Sequence, residues 1–283
     1  MKPAFSTVAC PDWTLEEVVA AARRLGYLGV ELRTEGFGST RSACDPGLTA
    51  PAKARSLFAS AGVGIVCLAS GLRFDTPVTP PVVGRTFIFD QESSVRRGKA
   101  LVDMAVQLEC QYVRVFGFEV TNNESVASTV GRIADRLGKV VDYARNSGVT
   151  VLIENGGTFG TAATLSHILD SIDHPLLAAS YSLPVARAQG ELPGHGINVL
   201  GAKLAVAKVK DYANGLPCQL GTGEFDAQAG VAALRAAGFN GWVVYEHDRM
   251  WFPETGDPVP ALESGAKTLF GWIADRHRSR AAH

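Results

Sequence analysis

The chain is 283 residues long, 46% of them apolar, with a formal net charge of −1. That balance argues against a nucleic-acid binder driven by counterion release, and no apolar run reaches the roughly 18 residues a membrane span needs. The N-terminus, Met1-Lys2-Pro3-Ala4-Phe5, lacks the apolar stretch and cleavage site of a signal peptide. Five cysteines, at 10, 44, 67, 110 and 218, are odd in number and scattered. They read as reduced thiols and a cytoplasmic location.

In chain order, short apolar runs alternate with helical patterns. The spacing predicts strands at Ala4–Val8, Gly29–Arg33, Gly64–Leu68, Tyr112–Phe116, Thr150–Glu154, Leu177–Ser182, Leu204–Lys208 and Trp242–Glu246. Thr14-Leu15-Glu16-Glu17 reads as a capping box that opens the first helix. Further helices are predicted over Pro51–Ala61, Glu92–Leu108, Glu124–Asn146, Ala163–Ile172, Asp226–Ala237 and Pro260–His277. The sixth connection, Pro184 to Asn198, is rich in proline and glycine and carries the weakest helical pattern. Glycines at 26, 62, 148 and 238 stand where helices should end.

Strand and helix in strict alternation mean parallel strands with crossover helices. Eight such units predict one domain over residues 1–283, a single (β/α)8 TIM barrel. An open doubly wound sheet is the alternative, but it would carry a glycine-rich phosphate loop after an early strand. Here the first strand runs into Ala9-Cys10-Pro11-Asp12-Trp13. Two long segments, 70–90 and 248–260, follow strands and so belong over the catalytic mouth. They read as candidate lids, or as ordinary surface insertions.

Alternation along a barrel strand sends every second side chain inward. With Val30 and Leu32 facing the helices, Glu31 and Arg33 point into the barrel. Val113 and Val115 leave Arg114 inside. Val151 and Ile153 leave Glu154, Ala207 and Val209 leave Lys208 and Lys210, and Val243 and Tyr245 leave Glu246. Buried unpaired charge is costly by several kcal/mol, roughly, so this accumulation points to a site at the C-terminal mouth. A self-cancelling salt-bridge network that only plugs the barrel is the competing reading. His247 and Arg249 directly follow the eighth strand and join the candidate substrate contacts. His167, His174, His195 and His277 fall in predicted helices or loops and receive no role.

Several stretches resemble one family. Gly26-Tyr27-Leu28-Gly29-Val30-Glu31-Leu32-Arg33, Val151-Leu152-Ile153-Glu154-Asn155, Val209-Lys210-Asp211, Leu220-Gly221-Thr222-Gly223-Glu224-Phe225-Asp226 and Gly238-Phe239-Asn240-Gly241-Trp242 through Glu246 occur in order. They resemble motifs of the sugar phosphate isomerase/epimerase family, the xylose isomerase-like barrels. The resemblance implies a divalent metal held by Glu, Asp, His and Glu from strands five to eight. The glutamates map to Glu154 and Glu246, the Asp to Ser182 and the His to Lys208. Serine is a poor ligand and a protonated lysine offers no lone pair, so no metal and no other cofactor is expected.

On this reading the protein is a metal-independent isomerase or epimerase. Glu154 and Glu246 form its acid/base pair, and Lys208 stands where the metal charge stood, able to polarise a carbonyl. Glu31, Arg33, Arg114, Ser182, Lys210, His247 and Arg249 are the candidate substrate contacts. A lyase, dehydratase or cyclase of specialised metabolism, with a Schiff-base role for Lys208, is the alternative. A non-catalytic binding protein is another. The endonuclease branch needs a multi-metal cluster and a basic groove, and the sequence shows neither. The expected partner is a small molecule, with no nucleic acid or membrane, and a homo-oligomer is compatible with the resemblance.

Overall fold

Eight parallel strands close into a barrel in the computed structural model, which describes residues 1–34, 42–77, 92–121 and 124–275. They are β1 (Lys2–Ser6), β2 (Gly29–Thr34), β3 (Gly64–Arg73), β4 (Tyr112–Phe116), β5 (Thr150–Glu154), β6 (Leu177–Ser182), β7 (Leu204–Val209) and β8 (Trp242–Tyr245). Neighbours in sequence are neighbours in the sheet, and β8 pairs with β1 from Lys2↔Trp242 to Phe5↔Tyr245. The expected (β/α)8 architecture is therefore observed. Outside the barrel lie α1 (Leu15–Leu25), α2 (Pro51–Ala61), α3 (Ser93–Gln107), α4 (Val126–Tyr143), α5 (Ala162–Ile172), α6 (Leu183–Ala188), α7 (Pro193–Leu200), α8 (Ala227–Ala236) and α9 (Pro258–Ala274).

Local chemistry sets the element ends. Thr14 and Glu17 form the predicted reciprocal capping box of α1, and Gly26 ends that helix at φ 81°, a conformation that favours glycine. The first strand lies two residues earlier than expected. Its chain leaves the sheet after Ser6 into a 3-10 turn at Thr7–Ala9, while Lys2 and Pro3 gain partners on β8. The sixth connection holds two short helices rather than one, each with proline in its first turn.

Both candidate lids shorten. Strand β3 continues to Arg73, because Leu68, Ala69 and Ser70 keep pairing with β2. Residues 78–90 of that segment lie outside the described residues. In the second segment α9 begins at Pro258, with the Asp257 carboxylate accepting from the Val259 N–H. Residues 276–283, including His277, also lie outside the described residues. Among the described residues no helix is long and apolar enough to cross a membrane.

The barrel wall sorts side chains as alternation requires. Val30, Leu32, Val113, Val115, Val151, Ile153, Ala207, Val209, Val243 and Tyr245 join the large core beneath the helices. Inside, a small apolar floor of Ala4, Val66, Cys67, Leu152, Val206 and Val244 fills the N-terminal end. The next inward positions, toward the C-terminal mouth, are charged. Register sets them at matched heights: Glu31 lies beside Ser6 on β1, and Ser182 beside Lys208.

Candidate active site

Lys208 is the centre of the charged layer and has no solvent exposure. Its Nζ lies 2.9 Å from Glu31 Oε1, 2.9 Å from Glu154 Oε2 and 2.8 Å from Glu246 Oε1. It donates hydrogen bonds to Glu31 and Glu246 and forms an ion pair with Glu154. Burial alone would push the Lys208 pKa down, but Glu154, Glu246 and Glu31 together push it well above the usual lysine range. Lys208 is thus a fixed, enclosed cation. With no solvent exposure and three carboxylates around it, Lys208 lies a layer below the mouth, where it was expected to polarise a carbonyl or form a Schiff base.

Each catalytic candidate gives one oxygen to Lys208. Glu154 Oε2 accepts from Ser180 Oγ at 2.9 Å and lies 3.3 Å from Arg114 Nε, besides its pairing with Lys208. Its Oε1 makes no hydrogen bond with a described residue. Glu246 gives Oε1 to Lys208, while its Oε2 lies 3.5 Å from Lys210 Nζ. Burial raises the Glu246 pKa, but Lys208 and Lys210 outweigh that and hold it at about 2.

One layer nearer the mouth, Lys210 Nζ sits 2.7 Å from Asp248 Oδ2, and Tyr212 Oη donates to the same oxygen at 2.5 Å. Burial lowers the Lys210 pKa, yet Glu246 and Asp248 raise it above the ordinary value. Unlike Lys208, Lys210 keeps part of its side chain exposed. Asp248, Tyr212 and Ser180 were not among the sequence candidates. Alternation would have found two of them, since Ser180 and Asp248 stand two positions from Ser182 and Glu246.

The other sequence candidates divide. Glu31 is enclosed beneath Lys208 and cannot touch a ligand, so its expected substrate contact becomes an anchoring one. Arg114 donates to Ser70 O at 2.6 Å and stacks over Phe116. Ser182 is buried, with its Oγ unpartnered. His247 lies against the ring of Tyr245, which packs on Gly265 of α9, so it belongs to the helix side of the wall rather than the mouth. Burial lowers its pKa. Arg249 grips both oxygens of Asp12 at 2.5 and 3.2 Å and donates to Gly256 O. It staples the loop after β8 to the loop after β1 instead of facing a substrate.

Two of the sequence motifs prove to be clamps. Asn155 bridges strand ends, accepting from Ser182 N at 2.6 Å and donating to Ser182 O and Gly160 O. The Asp211 carboxylate accepts four backbone N–H bonds, from Tyr212, Gly221, Gly223 and Phe225. A Cβ on Gly223 would lie 2.3 Å from Asp211 Oδ1 and 2.4 Å from Tyr212 O. Gly223→Ala is therefore expected to lower stability by about 1–3 kcal/mol, the usual range for overpacking, as read by urea unfolding. An unchanged midpoint would show that the loop has room to shift.

With this geometry the comparisons are specific. The family model described as xylose isomerase-like TIM barrel matches residues 19–275. The chain belongs to that family. Among solved structures with the xylose isomerase-like barrel, the IolI protein with a zinc atom superposes at TM-score 0.78 and 16% identity, covering 96% of this chain and 98% of that one. The structure described as the probable 3-DHS dehydratase AsbF of Bacillus anthracis gives 0.76 and 15%, covering 95% and 99%. L-ribulose 3-epimerase gives 0.74 and 17%, covering 98% and 100%. No curated protein is a significant sequence match.

The xylose isomerase-like resemblance implies a divalent ion, and the residues here do not fit one. The four corresponding positions hold Glu154, Ser182, Lys208 and Glu246. The Lys208 ammonium already fills the space between the two glutamates with its own protons. Among the described residues no group of three or more His, Cys, Asp or Glu side chains is arranged to hold a metal.

Proposed function

We propose that this chain is an isomerase or epimerase that moves a proton on the carbon next to a carbonyl, in a sugar-like or polyhydroxy compound, without a metal ion. The observation that carries the reading is the pair Glu154 and Glu246, each tied through one oxygen to the same enclosed ammonium. One carboxylate removes the proton, and the other returns it to the opposite face or to the neighbouring carbon. Lys208 holds both groups in place and supplies the positive charge of the site. The epimerases among the structural neighbours support the class of reaction.

Lys210 takes the part first expected of Lys208. Its ammonium is the one beside Glu246 that reaches toward the mouth. When a substrate carbonyl oxygen draws Lys210 away from Glu246, the developing enolate is stabilised. The same movement removes one of the cations that make Glu246 a weak base, so its basicity rises as the substrate settles. Dehydration is the second reading. The Tyr212 hydroxyl on Asp248, beside Lys210, is a proton donor for a leaving hydroxyl in that reading, and one neighbour is described as a probable dehydratase.

The test uses enzyme stripped with EDTA and checked by metal analysis. Incubated in D2O with a panel of ketoses, aldoses and polyhydroxy acids, it is expected to place deuterium beside the carbonyl of its substrate. Loss of water with a new C=C bond selects the dehydratase. A stoichiometric divalent ion whose removal abolishes turnover sinks the metal-free reading.

A further inference from the structure

We infer that the substrate carries an anionic group, a carboxylate or a phosphate, and that Arg33 beneath Trp251 receives it. The inference rests on the mouth being the small-molecule site proposed above. It starts from how the cations of that mouth are occupied. Arg114 lies against Glu154, Lys208 is shared by three carboxylates, Lys210 is held by Asp248 and Glu246, and Arg249 is paired with Asp12. Among these described cations Arg33 alone has no carboxylate in contact.

The guanidinium of Arg33 has five N–H donors. One Nη1 reaches Ala69 O at 3.3 Å, and Nε is buried without a partner. Glu31, Glu154 and Glu246 act on it only through space, and Arg114 repels it. The side chain is nonetheless fixed in place. It stands at the mouth end of β2, where its backbone N–H donates to Thr7 Oγ1 at 2.8 Å. Trp251, 52% exposed, lies with its ring 5.9 Å from the guanidinium carbon. A half-buried arginine with free donors, under an exposed indole at the open end of a barrel, is a receptor for a planar or tetrahedral oxyanion. Arg249, by contrast, spends its donors on the Asp12 carboxylate and the Gly256 carbonyl.

The experiment is calorimetric titration of the full-length protein with sodium gluconate, inorganic phosphate and neutral glucitol. At least one anion is expected to bind roughly tenfold or more tightly than glucitol, the margin of a charge-assisted pair. Gluconate ahead of phosphate marks a carboxylate substrate, and the reverse order marks a phosphorylated one. Arg33→Gln is expected to erase the preference. Arg33→Lys keeps the charge but loses the planar fork, and should retain a weakened preference, so the subsite can be read even if Arg33→Gln folds poorly. Equal binding of all three probes overturns the inference, as does an anion preference that survives Arg33→Gln. The titration needs no turnover. Anion binding without proton exchange defeats the proposed reaction and leaves the subsite standing, whereas exchange on a neutral sugar without anion preference does the opposite.

Discussion

Lys208→Met is expected to lower stability at neutral pH by about 3–5 kcal/mol, the range for removing one partner of a buried ion pair, or to prevent folding. Three carboxylates converge on this one ammonium. Without it they repel one another in a dry barrel, and no other cation makes good all three contacts. The pH dependence should also invert. In the native protein Glu246 is held at about 2, below the unfolded value of about 4.3. Its stabilisation is present above that unfolded value and disappears as pH falls through about 2. In Lys208→Met the crowded carboxylates should titrate above their unfolded value. Their folded state is then favoured at low pH and lost as pH rises toward neutrality. Urea unfolding between pH 4 and pH 8 reads both curves. Parallel curves with equal midpoints would mean that Lys208 does not hold the layer together.

Glu154→Gln and Glu246→Gln should each cut solvent proton exchange by roughly 10²–10⁴-fold, the usual share of a general acid or base. Glutamine keeps an oxygen able to accept from Lys208, so both variants should fold, in contrast to Lys208→Met. The double variant should be little slower than the worse single one, because the two groups serve one proton relay. NMR in D2O with the substrate found in the panel gives the rates. Full activity in either variant would remove that glutamate from the chemistry, and intact biological activity in both would favour a non-catalytic binding protein.

The fold and the identity of the charged layer were both legible in the sequence, for one reason. A barrel strand has a period of two, and apolar residues on the helix face force the intervening ones inward. Val113 and Val115 were enough to send Arg114 inside, and Ile153 did the same for Glu154. Who pairs with whom was not legible. Lys208 is on β7, and of its three acceptors only Glu246 comes from an adjacent strand. Glu31 and Glu154 reach it across the barrel from β2 and β5, where contact depends on strand tilt and stagger rather than on spacing along the chain. That is why a lysine expected to meet substrate turns out to be enclosed by three carboxylates. His247 was misplaced for a simpler reason: adjacency to the end of a strand was allowed to outweigh the alternation that groups it with Tyr245.

The seam between β8 and β1 carries a consequence for how the molecule assembles. Glu31 and Glu246 come from opposite ends of the chain and meet on the same ammonium, and Arg249 grips Asp12 across the same seam. A nascent chain that has made β7 but not β8 has Lys208 short of one acceptor, and it presents unpaired edges on both β1 and β7. Such long-range closure slows folding. A chain cut before Trp242 should gain little native structure, while one supplied with residues 242–275 as a separate peptide should recover it.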